Sequence, residues 1–556
     1  MLRSLFQFTF NAGRKDPEKL MQDSNIFFRQ LIVRVLAAAL LLTGCAGSPP
    51  GSGVAKVVSR ALDEPEKTRL GQRFLAAANA QEGKSGFQLV QAGIDGLLIR
   101  LQLIAAAEKT LDLQYYIFRA DRTGRLLTQA VLLAADRGVR VRLLIDDGDT
   151  EPGDEQLAAL THHQQIEVRI FNPFRYRGKS KFVRGLEFAT NLRRLDYRMH
   201  NKLLVVDNAL ALVGGRNVAN EYFQIDPELR FADEDAIAAG MIVRRLSANF
   251  DDFWNSELSV PASALDAGPG AEGNLKRLRD ALTREQSDED VPWLDFLKRS
   301  KAGEPLASIL SGARPLVWAR AELVADSPEK RQVVSGERFG SLMAPLVVHR
   351  ASEINEELLI VSPFLIPGPE GMELLGALRS KKASVRVLTN SLESTSEIAA
   401  HAGYMRYRVP MLTQGIELYE IRARPGKAKG SGESRESLRW GTFSLHAKLF
   451  VFDRKALFVG SMNFDQRSRH LNTEVGLIIE SQTLAEQAAK RFEAMTLPEN
   501  AYRVALKSGA AGREAQLIWV TQEGGRTVAY DVEPAQSEDQ RAKAKLLSVI
   551  APEKEL

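Results

Sequence analysis

One half of this chain is written again in the other, and nothing else in the sequence constrains its fold as strongly. HNKLLVVDNALALVGGRN (200–217) and HAKLFVFDRKALFVGSMN (446–463) share every internal spacing, setting His200, Lys202, Asp207, Gly214 and Asn217 against His446, Lys448, Asp453, Gly460 and Asn463. The likeness extends upstream. LDLQYYIF (111–118), GVRVRLLIDD (138–147) and IEVRIFNPF (166–174) are answered by ELLIVSPFLIP (357–367), ASVRVLTNS (383–391) and GIELYEI (415–421). A repeat this long predicts two similar domains rather than a solenoid. Its runs of Val, Ile, Leu and Tyr alternate with helical periods, which indicates βαβ units. The expected fold class is therefore α/β, with two similar lobes, each a mixed sheet flanked by helices, and a site at their interface.

Composition narrows the function. At 556 residues and 44% hydrophobic content the chain can build full cores, and a mean hydropathy of −0.19 argues against a polytopic membrane protein. A formal charge of +4 is too balanced for binding nucleic acid by bulk charge, so any anion must be handled locally. The single cysteine excludes a disulfide framework, a CxxC motif and a cysteine-rich zinc site.

His and Lys two residues apart on a strand share a face, so each half presents one imidazole and one ammonium together. The motif aspartates, Asp207 and Asp453, open turns and read as hairpin stabilisers. The glycines are expected to let a phosphate approach backbone N–H groups and the Asn217 and Asn463 amides. Two such sets supply a nucleophile, an acid/base and two cations for a pentavalent phosphorane, with no metal or cofactor required. The other five histidines, at 162, 163, 349, 401 and 470, have no duplicated partner and read as ordinary.

HxKxxxxD twice, each followed by GG or GS and Asn, resembles the phospholipase D superfamily with two HKD motifs in one chain. YRMHNK, AAHAGYMRYR and SMNFDQRSRHLNTEVGLIIES are most similar to bacterial cardiolipin synthases of the C type. The resemblance implies two phospholipase D-like lobes and a ping-pong reaction through a phosphatidyl-histidine. His200 would be the nucleophile and His446 the acid and base. Lys202, Lys448, Asn217 and Asn463 would hold nonbridging oxygens with Ser461 assisting, whereas Gly215 stands at the matching place in the first half. Downstream acids, Asp235 for His200 and Glu474 for His446, would orient the rings. The implied function is phosphatidyl transfer making cardiolipin from phosphatidylglycerol and a second glycerophospholipid. The alternatives are phospholipase D hydrolysis to phosphatidic acid and a non-catalytic lipid-binding envelope lipoprotein.

VLAAALLL (35–42) is too short to span a bilayer, follows Arg29 and Arg34, and precedes LTGC, which looks like a bacterial lipobox. That implies export, lipidation at Cys45 and a membrane-anchored lipoprotein in the cell envelope facing the periplasm or exterior. Its partners would be phospholipid substrates and the membrane surface rather than nucleic acid. The expected order is a signal segment (1–45), a linker (46–85), lobe 1 (86–260), a connector (261–312), lobe 2 (313–500) and a C-terminal extension (501–556). RYRGKSKFVRG (175–185), with Arg193 and Arg194, reads as a solvated loop, and PGKAKGSGESRES (425–437) as a flexible segment.

Overall fold

A computed structural model describes residues 50–51, 53–148, 155–178, 180–265, 271–283, 305–426, 441–507 and 516–551, with isolated positions between 293 and 300. The signal segment, Cys45 and most of 425–437 lie outside the described residues. Residues 180–194 belong with 1–48 to a unit separate from the body formed by 49–179 and 195–556. The basic run read as a loop is helical in part. Lys181–Thr190 forms a helix, begun by the Ser180 hydroxyl, which accepts from the Val183 N–H, and no residue of it is buried.

In the body, the first half forms β1 (Ser85–Val90), β2 (Thr110–Tyr115), β3 (Arg140–Asp146), β4 (Ile166–Phe171), β5 (Leu203–Val206), β6 (Leu210–Gly214), β7 (Leu229–Ala232), β8 (Asp235–Gly240) and β9 (Ser259–Pro261). The second forms β10 (Val317–Ala325), β11 (Glu357–Val361), β12 (Ser384–Asn390), β13 (Glu417–Ile421), β14 (Thr442–Leu445), β15 (Leu449–Phe452), β16 (Ala456–Gly460) and β17 (Val475–Glu480). The stretch assigned from sequence to an extension adds β18 (Ala501–Lys507), β19 (Gln516–Glu523) and β20 (Arg526–Tyr530) to the edge of the second sheet.

β2, β3 and β4 are parallel, as are β11, β12 and β13, which requires helical crossovers between them. The helix α1 (Arg122–Asp136) makes the first crossover. Asp121 caps it by accepting from Gly124 N–H, and Leu127, Val131, Leu132 and Ala135 recur at helical spacing on its buried face.

The mixed sheets of the two lobes are joined at their edges, because β1 pairs with β8 on one side and β10 on the other. All the strands named except β7 and β14 thereby form one 18-stranded sheet. Joining the two edges satisfies backbone groups that separate sheets would leave open. A second tie is the parallel pair β7–β14, which sits immediately before Asp233 in one half and His446 in the other. One apolar cluster also spans both halves. Leu203, Val205, Ala211 and Val213 share it with Leu449, Val451, Leu457 and Val459.

The motif hairpins β5–β6 and β15–β16 turn on Asp207-Asn208, with φ of 52° and 48°, and Asp453-Arg454, with φ of 50° and 52°. Positive φ at both central residues is the turn whose twist matches paired strands. The Asp207 carboxylate accepts from the N–H groups of Glu108, Lys109 and Thr110 at 2.7–2.9 Å. Asp453 does the same for Asn355, Glu356 and Glu357. Each motif aspartate thus fastens its hairpin to the start of the neighbouring strand, β2 or β11.

The motif glycines have a different cause from the one expected. A Cβ on Gly460 would stand 2.6 Å from the Gly476 Cα and the Val475 carbonyl, and one on Gly214 would strike Asp235 and the Glu234 carbonyl. They are small because β6 and β16 must approach β8 and β17. We expect Asp207→Ala to lower unfolding free energy by about 2 kcal/mol, the order for stranding buried donors. Chemical denaturation should show this loss while the folded fraction keeps its turnover.

Candidate active site

His200 and Lys202 do not lie within a strand, nor do His446 and Lys448; each pair occupies the extended lead-in to β5 or β15. What holds those lead-ins is the other half of the chain. His200 N–H donates to the Thr473 carbonyl at 2.9 Å, and Thr473 N–H to the Arg198 carbonyl at 3.0 Å. His446 and Ala447 N–H groups both donate to the Ala232 carbonyl, at 2.8 and 3.0 Å. Each motif is therefore seated on the segment just before the opposite half's acid.

The acids follow from this seating, and the pairing inferred from sequence is corrected. His200 Nδ1 lies 2.9 and 3.1 Å from the Glu474 carboxylate oxygens. His446 Nδ1 lies 2.6 Å from Asp233 Oδ2. Glu474 belongs to His200 rather than His446, and Asp235 touches neither ring. Instead Asp235 accepts from Arg100 and Arg216, each at 3.0 Å, in a fully buried cluster. The hairpin register explains the error. Gly214 faces Asp235 and Gly460 faces Gly476, so the acid two residues before each partner is Asp233 or Glu474. Aligning FADED on NTEVG by those strand partners would have found Asp233.

Gly215 and Ser461 now have distinct reasons. A Cβ on Gly215 would collide with the Asp233 carboxylate, so the first half needs glycine there. In the second half the Ser461 hydroxyl donates to Glu474 at 2.5 Å, and Ser468 does so at 2.8 Å from the other side. Ser461 is thus engaged with the acid rather than left for a phosphate. Asn217 is held at both ends, accepting from Ile117 N–H and donating to the Tyr222 hydroxyl. Asn463 has a buried Oδ1 with no hydrogen-bond partner among the described residues.

The rings are also walled. Tyr116 meets His200 edge-on at 5.2 Å, and Tyr222 and Phe231 lie 4.9 and 5.1 Å from His446. Lys202 Nζ donates to its own histidine's carbonyl at 2.6 Å and lies over the Tyr116 ring. Lys448 Nζ donates to the His446 carbonyl at 2.5 Å and sits 3.2 Å from both ring nitrogens.

Burial, then the charge of both lysines, holds His200 well below the ordinary imidazole value. The same forces lower His446 to about 3 against the opposing pull of Asp233. Desolvation brings Lys448 down to about 8 and lowers Lys202 as well. Burial raises Glu474 to about 7, although Lys202, Ser461, Lys330 and Ser468 oppose it. Asp233 is held far below the usual carboxylate range, because His446, Lys448 and Arg216 outweigh its burial. Near neutral pH the imidazoles are therefore neutral, with Nδ1 on the carboxylates and Nε2 directed away from them, beside the Lys202 and Lys448 amines. These groups together favour an entering anion, whose charge raises the affinity of the rings and lysines for protons.

Known proteins resemble this chain over most of its length. The family described as "Cardiolipin synthase, PLD-like domain" matches residues 101–254 and 347–496. The chain belongs to this family. It is 34% identical over 492 residues to cardiolipin synthase C of Escherichia coli strain K12, covering 87% of this chain and 99% of that one. It is 30% identical to an uncharacterized protein of Helicobacter pylori strain 26695, over 76% of this chain and 82% of the relative. A phosphatidylserine synthase of Haemophilus influenzae aligns over 77% of this chain and 91% of its own, with 11% identity and a TM-score of 0.48.

The two matches divide the chain as the internal repeat does, one around each motif. Among the described residues of this PLD-like chain, no group of three or more His, Cys, Asp or Glu could hold a metal ion. No described helix is long and apolar enough to cross a membrane. His401 is more than ordinary packing, since it joins Arg408, Glu420 and Glu533 in a buried network tying residues beyond 530 to the second lobe.

Asp233 and Asp235 separate under substitution. Asp233→Asn removes the carboxylate that fixes the His446 tautomer, and turnover is expected to fall about 10²–10⁴-fold with the fold retained. Asp235→Asn unpairs Arg100 and Arg216, and is expected to cost about 3–5 kcal/mol of stability. Parallel assays of turnover and denaturation on the two variants check this.

Proposed function

We propose that this chain is a phosphatidyltransferase that makes cardiolipin from phosphatidylglycerol and a second glycerophospholipid. The observation that carries the reading is the pair of buried histidines, each oriented by an acid from the other half and flanked by a lysine. In this mechanism a phosphodiester sits between the two motifs. His200 Nε2 attacks phosphorus, while Glu474 holds Nδ1–H and stabilises the charge that develops on the ring. His446, protonated once the anion is bound, gives its proton to the departing alcohol as the P–O bond breaks. That alcohol is glycerol when phosphatidylglycerol is the donor.

His446, now neutral, takes the proton of the acceptor lipid's glycerol hydroxyl. The resulting oxygen attacks phosphorus, the P–N bond breaks, and His200 is restored. Lys202, Lys448 and the Asn463 amide offset charge on the nonbridging oxygens throughout. The aromatic wall of Tyr116, Tyr222 and Phe231 restricts water, the competing acceptor, and this supports transfer over hydrolysis.

The lipobox-like LTGC supports a further part of this reading, in which Cys45 is lipidated after export and holds the enzyme at the bilayer that carries its substrates. Mass spectrometry of the mature N-terminus is expected to show a diacylglyceryl cysteine. Cys45→Ser is expected to move the protein from the membrane to the soluble fraction.

The activity test is incubation of the purified protein in mixed micelles of phosphatidylglycerol and phosphatidylethanolamine with EDTA, with lipids resolved by mass spectrometry. Wild type is expected to form cardiolipin, and His200→Ala and His446→Ala to lose at least about 10²-fold. Phosphatidic acid in place of cardiolipin would show hydrolysis instead. The pH profile of kcat/KM is expected to rise as Glu474 ionises near pH 7 and to fall as Lys448 loses its proton from about pH 8. That gives a narrow bell in the free enzyme.

A further inference from the structure

The two halves hold their orienting acids by different means. In the first half a motif residue does it. Arg216 donates to the Asp233 carbonyl at 2.8 Å, to the Val90 and Gln91 carbonyls, and to Asp235. The matching position in the second motif is Met462, which carries no charge. There the cation comes from outside the motif. Lys330 opens the short helix Lys330–Val334, is fully buried, and lies in none of the segments that the repeat or the resemblance singled out.

Lys330 Nζ makes three bonds. It donates to Asp326 Oδ2 at 2.9 Å, to the Ser468 carbonyl at 2.6 Å and to the Asn472 carbonyl at 2.7 Å. Asp326 completes the frame. Its Oδ2 accepts Glu474 N–H at 3.0 Å, its Oδ1 accepts Met343 N–H, and its own N–H donates to the Glu474 carbonyl at 3.0 Å. Both carbonyls on Lys330 belong to the short helix Gln466–His470 and the turn after it, the segment that sets Ser468 against Glu474 and Glu474 against His200. The ammonium therefore grips that segment at two points just before Glu474. A buried ion pair of this kind contributes little net stability compared with an apolar replacement, so its place here calls for another reason.

We propose that Lys330 and Asp326 are positioning residues for the reaction, fixing the backbone and the local field of Glu474 so that Glu474 orients His200. The inference rests on the transferase reading for its activity assay and on geometry for its structural claim. The charged and titratable groups around Glu474 are His200, Lys202 and Lys448 from the motifs, Asp465 from its own loop, and the Lys330–Asp326 pair. Lys330 stabilises the Glu474 anion and Asp326 opposes it. Removing them separately therefore displaces Glu474 ionisation in opposite directions.

The experiment compares the full chain with Lys330→Met, Asp326→Asn and the double variant, in the cardiolipin assay across pH and by selective ¹⁵N-histidine NMR. Lys330→Met is expected to move the acid limb of kcat/KM upward in pH, Asp326→Asn to move it downward, and both to lower kcat at least about tenfold with KM within about twofold. The double variant leaves no unpaired buried charge, which protects the fold. In it the His200 Nδ1 signal is expected to lose the shift that marks its carboxylate bond, whether or not the single variants fold. Acid limbs that stay put or move together, or a His200 signal unchanged in the double variant, would overturn the proposal. Absence of cardiolipin from wild type would instead count against the transferase reading and leave the NMR arm to decide the positioning claim.

Discussion

The site depends on two buried imidazole–carboxylate bonds that cross between the halves, His200 to Glu474 and His446 to Asp233. Because each bond takes its partners from different lobes, neither lobe completes an oriented histidine alone. The joined sheet through β1 and β10, the β7–β14 pair and the shared apolar cluster all hold those lobes in one arrangement. Rigid placement matters because a ring displaced by about 1 Å forfeits much of the advantage of orientation.

Charge follows the same plan. Two lysines, two histidines and two acids are almost wholly removed from water, where each charge would ordinarily be costly. The arrangement is tolerable because each lysine donates to a carbonyl within the field of Glu474 and Asp233, and the imidazoles are neutral. A phosphodiester entering this cluster provides the negative charge that the lysines face. Binding and activation are then one electrostatic event, and its strength comes from groups already in position.

The repeat is uneven where the chemistry permits. Gly215 gives way to Asp233, while Ser461 adds a hydrogen bond to Glu474. Arg216 anchors one acid from inside the motif, while the Lys330–Asp326 pair anchors the other from outside it. The outward pattern of motif residues is the same in both halves, but the support behind it has been built twice from different materials.

The sequence by itself determined that there are two like α/β halves, that His200, Lys202, His446 and Lys448 form the candidate reacting set, and that Asp207 and Asp453 stand at hairpin turns. These are local patterns, set by strand periodicity, turn chemistry and identical spacing. Only the tertiary structure decided which acid serves which histidine, since that depends on strand register and on contacts between segments more than 200 residues apart. It also assigned the motif glycines to strand approach, moved Asp235 into an arginine cluster and revealed Lys330. Neither the arginine cluster of Asp235 nor Lys330 leaves a periodic or duplicated mark in the chain. They are properties of what lies next to what, and that is settled when the two halves close on one another.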